Sequence, residues 1–201
     1  MNTFDKLIKH NDYELTILDQ KILVHNDVFT PDPKITNSSS IILNNLPNVR
    51  GKDILGMGVG TGIIAIMCAK KFARNILAVD IDKKALRNTE ENIKNLKINN
   101  VKLALSNLYE NVKGKFDFIF ANLPIDDAVW NIKEKTVSLI ERFLTDSRYH
   151  LNEEASIYLP WFSISDVKQI ENLLDKLDYS YKMLSEEKIG FTWYLFIIKT
   201  K

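Results

Sequence analysis

Five residues with glycine at every second position, Gly58-Val59-Gly60-Thr61-Gly62, constrain the fold of this chain more than any other feature. A short apolar run, residues 54–57, precedes them, and an unbroken apolar segment, residues 63–69, follows. A second apolar run, residues 76–79, ends at Asp80. Glycines let the backbone turn sharply and approach a ligand without a Cβ in the way. The stretch therefore predicts a strand, a turn, a helix, a second strand and an acid, which together hold a nucleoside-bearing cofactor.

Two registers of this turn predict two different cofactors. Counted from Gly60, the pattern Gly-x-Gly-x-x-Ala ends at Ala65 and satisfies a dinucleotide fingerprint, but it begins too far beyond the strand to form the turn at the strand's end. Counted from Gly58, the pattern Gly-x-Gly-x-Gly follows the strand directly. Asp80 does not decide between them, because a carboxylate at that point accepts hydrogen bonds from ribose hydroxyls in either case.

The register from Gly58 resembles the turn of class I S-adenosylmethionine-dependent methyltransferases. The resemblance implies that Asp80 binds the ribose and that Asn107, where relatives commonly carry an acid, accepts a hydrogen bond from the adenine amino group. This sequence departs from the family pattern at Gly56, because most relatives carry at this position an acid that organises the amino end of the methionine. The expected cofactor is S-adenosyl-L-methionine, and the expected cofactor-binding residues are Phe29, Gly56, Gly58, Gly60, Thr61, Gly62, Asp80, Ile81, Asn107, Leu108 and Asn122.

A second motif follows the strongly apolar run at residues 116–121, namely Asn122-Leu123-Pro124-Ile125. It resembles the Asn-Pro-Pro-aromatic motif of release-factor glutamine and small-domain RNA methyltransferases, and equally the Asn-Ile-Leu motif of lysine-modifying ribosomal-protein methyltransferases. An amide nitrogen is a poor nucleophile, and carbonyl acceptors that hold its N–H groups orient it toward the methyl donor. Asn122 and Pro124 are therefore the catalytic candidates.

The methyl acceptor is expected to be a nitrogen of a protein or peptide side chain. Ile125 replaces an aromatic residue on which a flipped base would stack with about 1–3 kcal/mol, so a nucleobase is less favoured. Trp130 or Trp161 could supply such a surface instead. The alternatives are an RNA base or a small molecule as acceptor, or a non-catalytic binding module, for which the departures at Gly56, Asn107, Leu123 and Ile125 argue.

The remaining chain predicts an α/β fold with a Rossmann-like, seven-stranded, mostly parallel sheet, helices on both faces and an antiparallel last strand. A helix at residues 1–11, a hairpin with its turn at Asp19-Gln20 and a connecting or lid-like loop at residues 29–33 precede the core. Residues 1–47 are expected to lead into a methyltransferase core at residues 48–201, together one compact domain. The further predicted helices are residues 36–46, 83–96, 132–149 and 166–177, and the further strands are residues 101–105, 155–159, 181–188 and 191–199, the last two turning at Gly190.

Composition sets the broad class. A 201-residue chain with 45% hydrophobic residues suits one domain, and a net charge of +1 gives no field that implies nucleic acid or a membrane. Charged residues near the start and the lack of a long apolar run predict a cytoplasmic protein without a membrane partner. The lone Cys68 is expected to be a core residue. His10, His25 and His150 lack the partners and spacing of a metal site, and no metal is expected.

Overall fold

The computed structural model describes residues 7–124, 136–163 and 165–201. Nine strands form two sheets within these residues. Their bounds are β1 Tyr13–Ile17, β2 Gln20–Val24, β3 Asp53–Met57, β4 Asn75–Asp80, β5 Val101–Leu105, β6 Phe116–Ala121, β7 Leu151–Phe162, β8 Tyr179–Lys188 and β9 Phe191–Thr200. Five α-helices accompany them: α1 Ser38–Asn44, α2 Ile63–Lys70, α3 Lys83–Asn95, α4 Thr136–Ser147 and α5 Val167–Lys176.

The main sheet has seven strands in the order β5-β4-β3-β6-β7-β9-β8. Strands β3 to β7 pair in parallel, and β9 pairs antiparallel with both β7 and β8. Parallel strands need crossover connections. Helices α2, α3 and α4 lie in those from β3 to β4, from β4 to β5 and from β6 to β7, whereas residues 106–115 connect β5 to β6 without a helix. The prediction of a Rossmann-like, mostly parallel sheet with an antiparallel last strand is confirmed. The division at residues 47 and 48 stays a prediction.

The N-terminal hairpin forms as a separate two-stranded sheet, but its turn lies one residue earlier than predicted. Ile17 pairs with Gln20, so Leu18 and Asp19 form the turn. Both have positive φ angles, 46° and 63°, which match the twist of a two-residue hairpin turn. The predicted helix at residues 1–11 is not observed in its described part, because residues 7–11 contain no α-helix, and residues 1–6 lie outside the described residues.

Strand β7 is much longer than the predicted residues 155–159. Its pairing with β6 shifts register between Phe116 and Phe118, and Glu154 near this irregularity has a positive φ of 61°. The strand also continues through Pro160, Trp161 and Phe162, which were predicted to follow it. Pairing with β9 as far as Trp193 accounts for residues 160–162, since an adjacent antiparallel strand supplies partners that local sequence does not reveal.

Helix α3 begins as predicted, with the Asp82 side chain accepting a hydrogen bond from the Lys84 backbone N–H at 2.8 Å. The helical periodicity predicts a buried face of Ala85, Leu86, Thr89, Ile93 and Leu96. In the structure Asn88 and Asn92 are buried with Ala85 and Thr89, while Leu86, Ile93 and Leu96 are only partly buried. The Asn92 side chain accepts from the Leu23 N–H at 2.7 Å and donates to the Leu23 carbonyl at 2.8 Å. The helix therefore binds the hairpin through amide hydrogen bonds in addition to the apolar packing of Ile93 and Leu96.

The helices lie on both faces of the main sheet. Helix α1 packs on β7 and β9, and α5 packs on the opposite face at β8, where the Tyr181 hydroxyl donates to Glu171 at 3.2 Å. Residues directly opposite each other in an antiparallel pair share a face, so Phe162, Trp193 and Glu186 form one row across β7, β9 and β8. The Glu186 side chain accepts from the Asn37 side chain just before α1, so this row lies on the α1 face.

Candidate active site

A cavity of about 760 Å³ lies at the carboxyl edge of the parallel strands, where ligands of open α/β sheets bind. The glycine turn, the residues after β4 and β5, and the motif after β6 form its walls together with the loop before α1. Of the predicted site residues, Gly62 alone does not line this cavity. Those that do are Phe29, Gly56, Gly58, Gly60, Thr61, Asp80, Ile81, Asn107, Leu108, Asn122 and Pro124.

The glycine turn has the backbone conformation that its sequence requires. Gly58, Gly60 and Gly62 have φ angles of 69°, 55° and 85°, in the left-handed region that L side chains rarely adopt. A Cβ at Gly58 would lie 2.6 Å from the Asn122 carbonyl oxygen, and one at Gly62 would lie 2.7 Å from Thr89 Cγ2. The first close approach joins the two sequence motifs, and the second joins the turn to α3.

Asp80 fixes the turn through its carboxylate. Its Oδ2 accepts from the Gly60 backbone N–H at 3.1 Å, and its Oδ1 accepts from the Asp82 backbone N–H at 2.9 Å. Burial raises the pKa of Asp80 above its ordinary value, and the backbone N–H groups of Asp82 and Gly60 offset part of that shift. A carboxylate accepts about four hydrogen bonds, so acceptor positions remain toward the cavity.

A second anchor of the turn was not predicted from the sequence. The Thr89 hydroxyl donates to the Gly60 carbonyl at 2.8 Å, and the Asn92 amide donates to the Thr61 carbonyl at 2.9 Å. Both side chains come from α3, and Asn92 also binds Leu23 in the hairpin. The only sequence signal is a pair of polar residues, Thr89 and Asn92, three positions apart on the helix, and polar residues at this spacing normally indicate a solvated face.

Asn122 lies beside the glycine turn. Its backbone N–H donates to the Met57 carbonyl at 2.9 Å, which continues the β3–β6 pairing past the end of β6. Its side-chain Nδ2 points toward Ser39 Oγ at 3.5 Å. The other atom of this amide, Oδ1, is an acceptor and is not directed at Ser39. Leu123 and Pro124 continue the cavity wall, whereas Ile125 lies outside the described residues.

Phe29, Ile81 and Asn107, three further predicted site residues, line the cavity in different surroundings. Phe29 and Pro31 bring the predicted loop into the cavity wall, and Ile81 is 70% exposed beside Asp80. The Asn107 amide already has partners, because its Nδ2 donates to Glu110 at 3.0 Å and its Oδ1 accepts from Arg142 at 3.4 Å. Its assignment to the adenine amino group remains a prediction.

Gly56 is the cavity residue at which an acid was expected. A Cβ added there would meet Ala78 only at 4.0 Å, an ordinary contact, and its φ is not positive. The backbone therefore does not require glycine at this position. Thr36, Ser38 and Ser39 are among the polar residues of the cavity wall.

Aromatic side chains line a further part of the cavity, and they are not the ones that the sequence suggested. Trp161 is 1% exposed, its indole donates to the Ser165 carbonyl at 3.2 Å, and it does not line the cavity. Alternation along β7 places Phe162 on the cavity face instead, stacked on Trp193 with 4.9 Å between ring centroids. Phe191 packs edge-on against Phe162. Trp130 lies outside the described residues.

Metal and membrane features can be stated for the described residues only. Residues 7–124, 136–163 and 165–201 contain no group of three or more His, Cys, Asp or Glu side chains placed to hold a metal ion. Every helix in the described part of the chain is too short or too polar to cross a membrane.

The fold and cavity define a class, a Rossmann-like α/β protein whose glycine turn, strand-end acid and Asn-x-Pro motif meet at one sheet edge. Residues 19–191 match the family described as the methyltransferase small domain. The chain belongs to this family and is a methyltransferase. The predicted class, S-adenosyl-L-methionine-dependent methyltransferases of the small-domain type, is thereby confirmed.

Two relatives illustrate the range of this family. A protein of Methanocaldococcus jannaschii named as a protein N5-glutamine methyltransferase is 32% identical over 185 residues, which cover 85% of this chain and 90% of that protein. A ribosomal protein L11 methyltransferase of Lactobacillus gasseri is 25% identical over 178 residues, or 88% of this chain. This chain spans 53% of the length of the second relative.

Solved structures support the fold. A ribosomal protein L11 methylase of Lactobacillus delbrueckii superposes with a TM-score of 0.68 at 23% identity, covering 95% of this chain and 91% of that one. A 16S rRNA N2 G1207 methyltransferase of T. thermophilus, in complex with AdoMet and guanosine, gives a TM-score of 0.74 at 16% identity, covering 95% and 50%. Identities this low establish a shared architecture and leave the acceptor open.

Proposed function

We propose that this protein transfers a methyl group from S-adenosyl-L-methionine to a nitrogen of a protein or peptide side chain. The observation that carries the proposal is the contact between the two motifs. The glycine turn and Asn122 approach so closely that a Cβ on Gly58 would lie 2.6 Å from the Asn122 carbonyl oxygen. A cofactor on the turn and an acceptor at Asn122 would therefore share one cavity.

The cavity fits a nucleoside-bearing cofactor by its shape and its donor and acceptor set. A Cβ at Gly60 would have only the Phe29 carbonyl oxygen near it, at 3.9 Å, so open space lies beside this glycine, and Asp80 retains acceptor positions for ribose hydroxyls. Phe29, Ile81 and Leu108 supply apolar surface for a base. We assign cofactor binding to these residues with Gly56, Gly58, Gly60, Thr61, Asp80 and Asn107, and we assign Gly62 to shaping the turn.

The acceptor nitrogen is positioned by Asn122. Its Oδ1 and the neighbouring backbone carbonyl accept the N–H bonds of the acceptor, and the Ser39 contact holds the opposite end of the amide. Pro124 restricts the backbone that follows. The cavity wall beyond is largely apolar.

The bound cofactor supplies an electrophilic methyl group on a sulfonium sulfur. As the N–C bond forms, the S–C bond breaks, its electron pair stays on sulfur, and the acceptor nitrogen loses one proton to solvent. Asn122 contributes orientation and stabilises the positive charge that develops on nitrogen, so a strong base is not required before transfer.

Titration calorimetry with S-adenosyl-L-methionine tests the cofactor half, and absence of binding to folded protein would reject it. Asn122→Ala is expected to lower turnover by roughly 10²–10³-fold while cofactor affinity stays within about twofold. Asn100→Ala is the matched control, because the Asn100 side chain donates to the Ala73 carbonyl away from the cavity. Equal turnover in the Asn122 variant and in wild type would contradict the assigned role.

The acceptor class is tested with a methyl-labelled cofactor and fractionated cell lysate. Label in protein supports the proposal, label in RNA or small molecules replaces it with one of the two alternative acceptors, and no label in any fraction favours a non-catalytic module. The relative named for N5-glutamine methylation and the relative named for ribosomal protein L11 both favour protein. We also propose the cytoplasm as the compartment, in keeping with the composition of the chain.

A further inference from the structure

The cavity that holds the glycine turn and Asn122 also contains an aromatic end, formed by Phe162, Phe191 and Trp193. The strand order places this end relative to the other parts. The residues that we assign to the cofactor after β3, β4 and β5 lie on one side of Asn122, which follows β6. Phe162 ends β7, and the other two aromatic residues begin β9. Because β7 and β9 lie on the other side of β6, the aromatic end lies on the side of Asn122 that is left for the acceptor.

The strand register places the aromatic end on the same face of the sheet as the Asn122 side chain. Phe120 pairs with Tyr158, and their ring centroids are 5.1 Å apart, so these two side chains share a face. Side chains alternate along a strand, so Asn122 lies on the face of Phe120. By the same rule Phe162 lies on the face of Tyr158. The strand spacing and the rise per residue put the Cα atoms of Asn122 and Phe162 roughly 8 Å apart.

The aromatic end offers apolar surface without an open ring face. Phe162 stacks on Trp193, and the two side chains are 5% and 6% exposed. The Trp193 indole N–H donates to the Lys188 carbonyl at 3.0 Å, so its polar atom is already used. Phe191 and Leu139 are partly buried and complete this part of the wall. A nucleobase stacks on an open ring face, whereas an apolar side chain needs only apolar surface to contact, so this end favours a side chain.

Resting on the proposed function, we propose that Phe162, Phe191 and Trp193 bind an apolar side chain of the acceptor protein, two positions from the residue that is methylated. In an extended peptide, side chains two positions apart lie on the same side and are separated by about 7 Å. This spacing matches the separation of Phe162 from Asn122. Burial of the apolar side chain adds affinity, and a second point of contact helps to orient the acceptor nitrogen at Asn122.

The test uses fluorescein-labelled heptapeptides, bound in the presence of S-adenosylhomocysteine and followed by fluorescence polarisation. One set has glutamine as the central residue, and a second set has lysine. Within each set, leucine stands two positions before or after the central residue, and the matched peptide carries serine there. Wild type is expected to bind a leucine peptide of at least one set roughly 5- to 20-fold more tightly than its serine partner.

Phe191→Ala is expected to reduce this preference by at least about threefold, and Phe191→Leu is expected to keep most of it. The partly buried Phe191 is chosen because truncation of the buried Phe162 or Trp193 would disturb folding more. Tyr194→Ala is the matched control, because Tyr194 is also partly buried but lies on the opposite face of β9. This variant is expected to keep the preference for leucine.

Equal binding of leucine and serine peptides by wild type, no binding of any peptide, or an unchanged preference in Phe191→Ala would overturn the proposal. A single-stranded RNA hexanucleotide whose binding is weakened by Phe191→Ala, without a leucine preference among the peptides, would replace the side chain with a base. Methyl transfer to the same peptides is scored separately, so that a leucine preference without transfer would count against the proposed function and not against this binding site.

Discussion

Gly58 offers the sharpest test of how the two motifs fit together. Gly58→Ala introduces two separate penalties. The φ of 69° lies in the left-handed region, which costs a residue with a Cβ about 1–2 kcal/mol. The new Cβ would also lie 2.6 Å from the Asn122 carbonyl oxygen and 3.2 Å from its carbonyl carbon, and both atoms are backbone that can move only with β6. Such overpacking costs about 1–3 kcal/mol.

Gly51→Ala separates these penalties. Gly51 has a φ of 70°, almost the same as Gly58, but a Cβ there would meet nothing within 4 Å. The two variants share the backbone penalty, and the difference between them measures the steric contact alone. We expect Gly58→Ala to lose about 1–3 kcal/mol more in free energy of unfolding than Gly51→Ala, or roughly 2–12 °C more in Tm.

Chemical denaturation monitored by circular dichroism gives the free energies, and calorimetric titration gives the cofactor affinity of each folded variant. Gly51→Ala is expected to bind S-adenosyl-L-methionine like wild type, whereas Gly58→Ala is expected to bind it weakly because the turn must move away from Asn122. Equal destabilisation of both variants, with equal cofactor affinity, would refute the close approach of the two motifs.

Three further predictions concern Asp80, Asn92 and Cys68. Because burial raises the pKa of Asp80, its contribution to stability is largest while it is protonated and falls as pH rises above the ordinary aspartate pKa. Wild type measured against Asp80→Asn should therefore lose free energy of unfolding as pH rises above that value, and a gain would contradict the shift. Asn92→Leu should lower the free energy of unfolding by about 2–5 kcal/mol, because it leaves the backbone partners of Asn92 unpaired. Asn95→Leu, on the exposed face of α3, should lower it by less than about 1 kcal/mol. Similar losses in the two variants would contradict the role of Asn92. Burial raises the pKa of Cys68 to about 12, so a thiol reagent at pH ~8 should label it only after unfolding, and rapid labelling of native protein would contradict its burial.

The sequence predicted those parts of the molecule that local rules govern. The glycine turn has the positive φ angles that the alternating glycines indicate, and Asp82 caps α3 as its position suggests. The second hairpin turns at Ile189 and Gly190, as predicted from Gly190. In each case a backbone conformation or a nearby hydrogen bond restricts which residues can stand there, so sequence alone carries the information.

The prediction failed where distant partners decide the outcome. Asn88 and Asn92 are buried because the edge of β2 offers them backbone groups more than 60 positions away along the chain. Trp161 and Phe162 are adjacent, and the pairing of β7 with β9 decides which of them faces the cavity. The hydrogen bond between Asn37 and Glu186 joins residues 149 positions apart, and the sequence around neither residue indicates it.

The N-terminal hairpin looks like an appendage because it forms its own small sheet. Asn92 shows otherwise, since one side chain binds both Leu23 of the hairpin and Thr61 of the glycine turn. Deleting the hairpin would leave this amide half-satisfied directly behind the turn, and the turn would lose part of what holds it in shape. A shortened protein that begins at residue 48, the predicted start of the core, would therefore keep the whole parallel sheet but lack a well-formed glycine turn at residues 58–62.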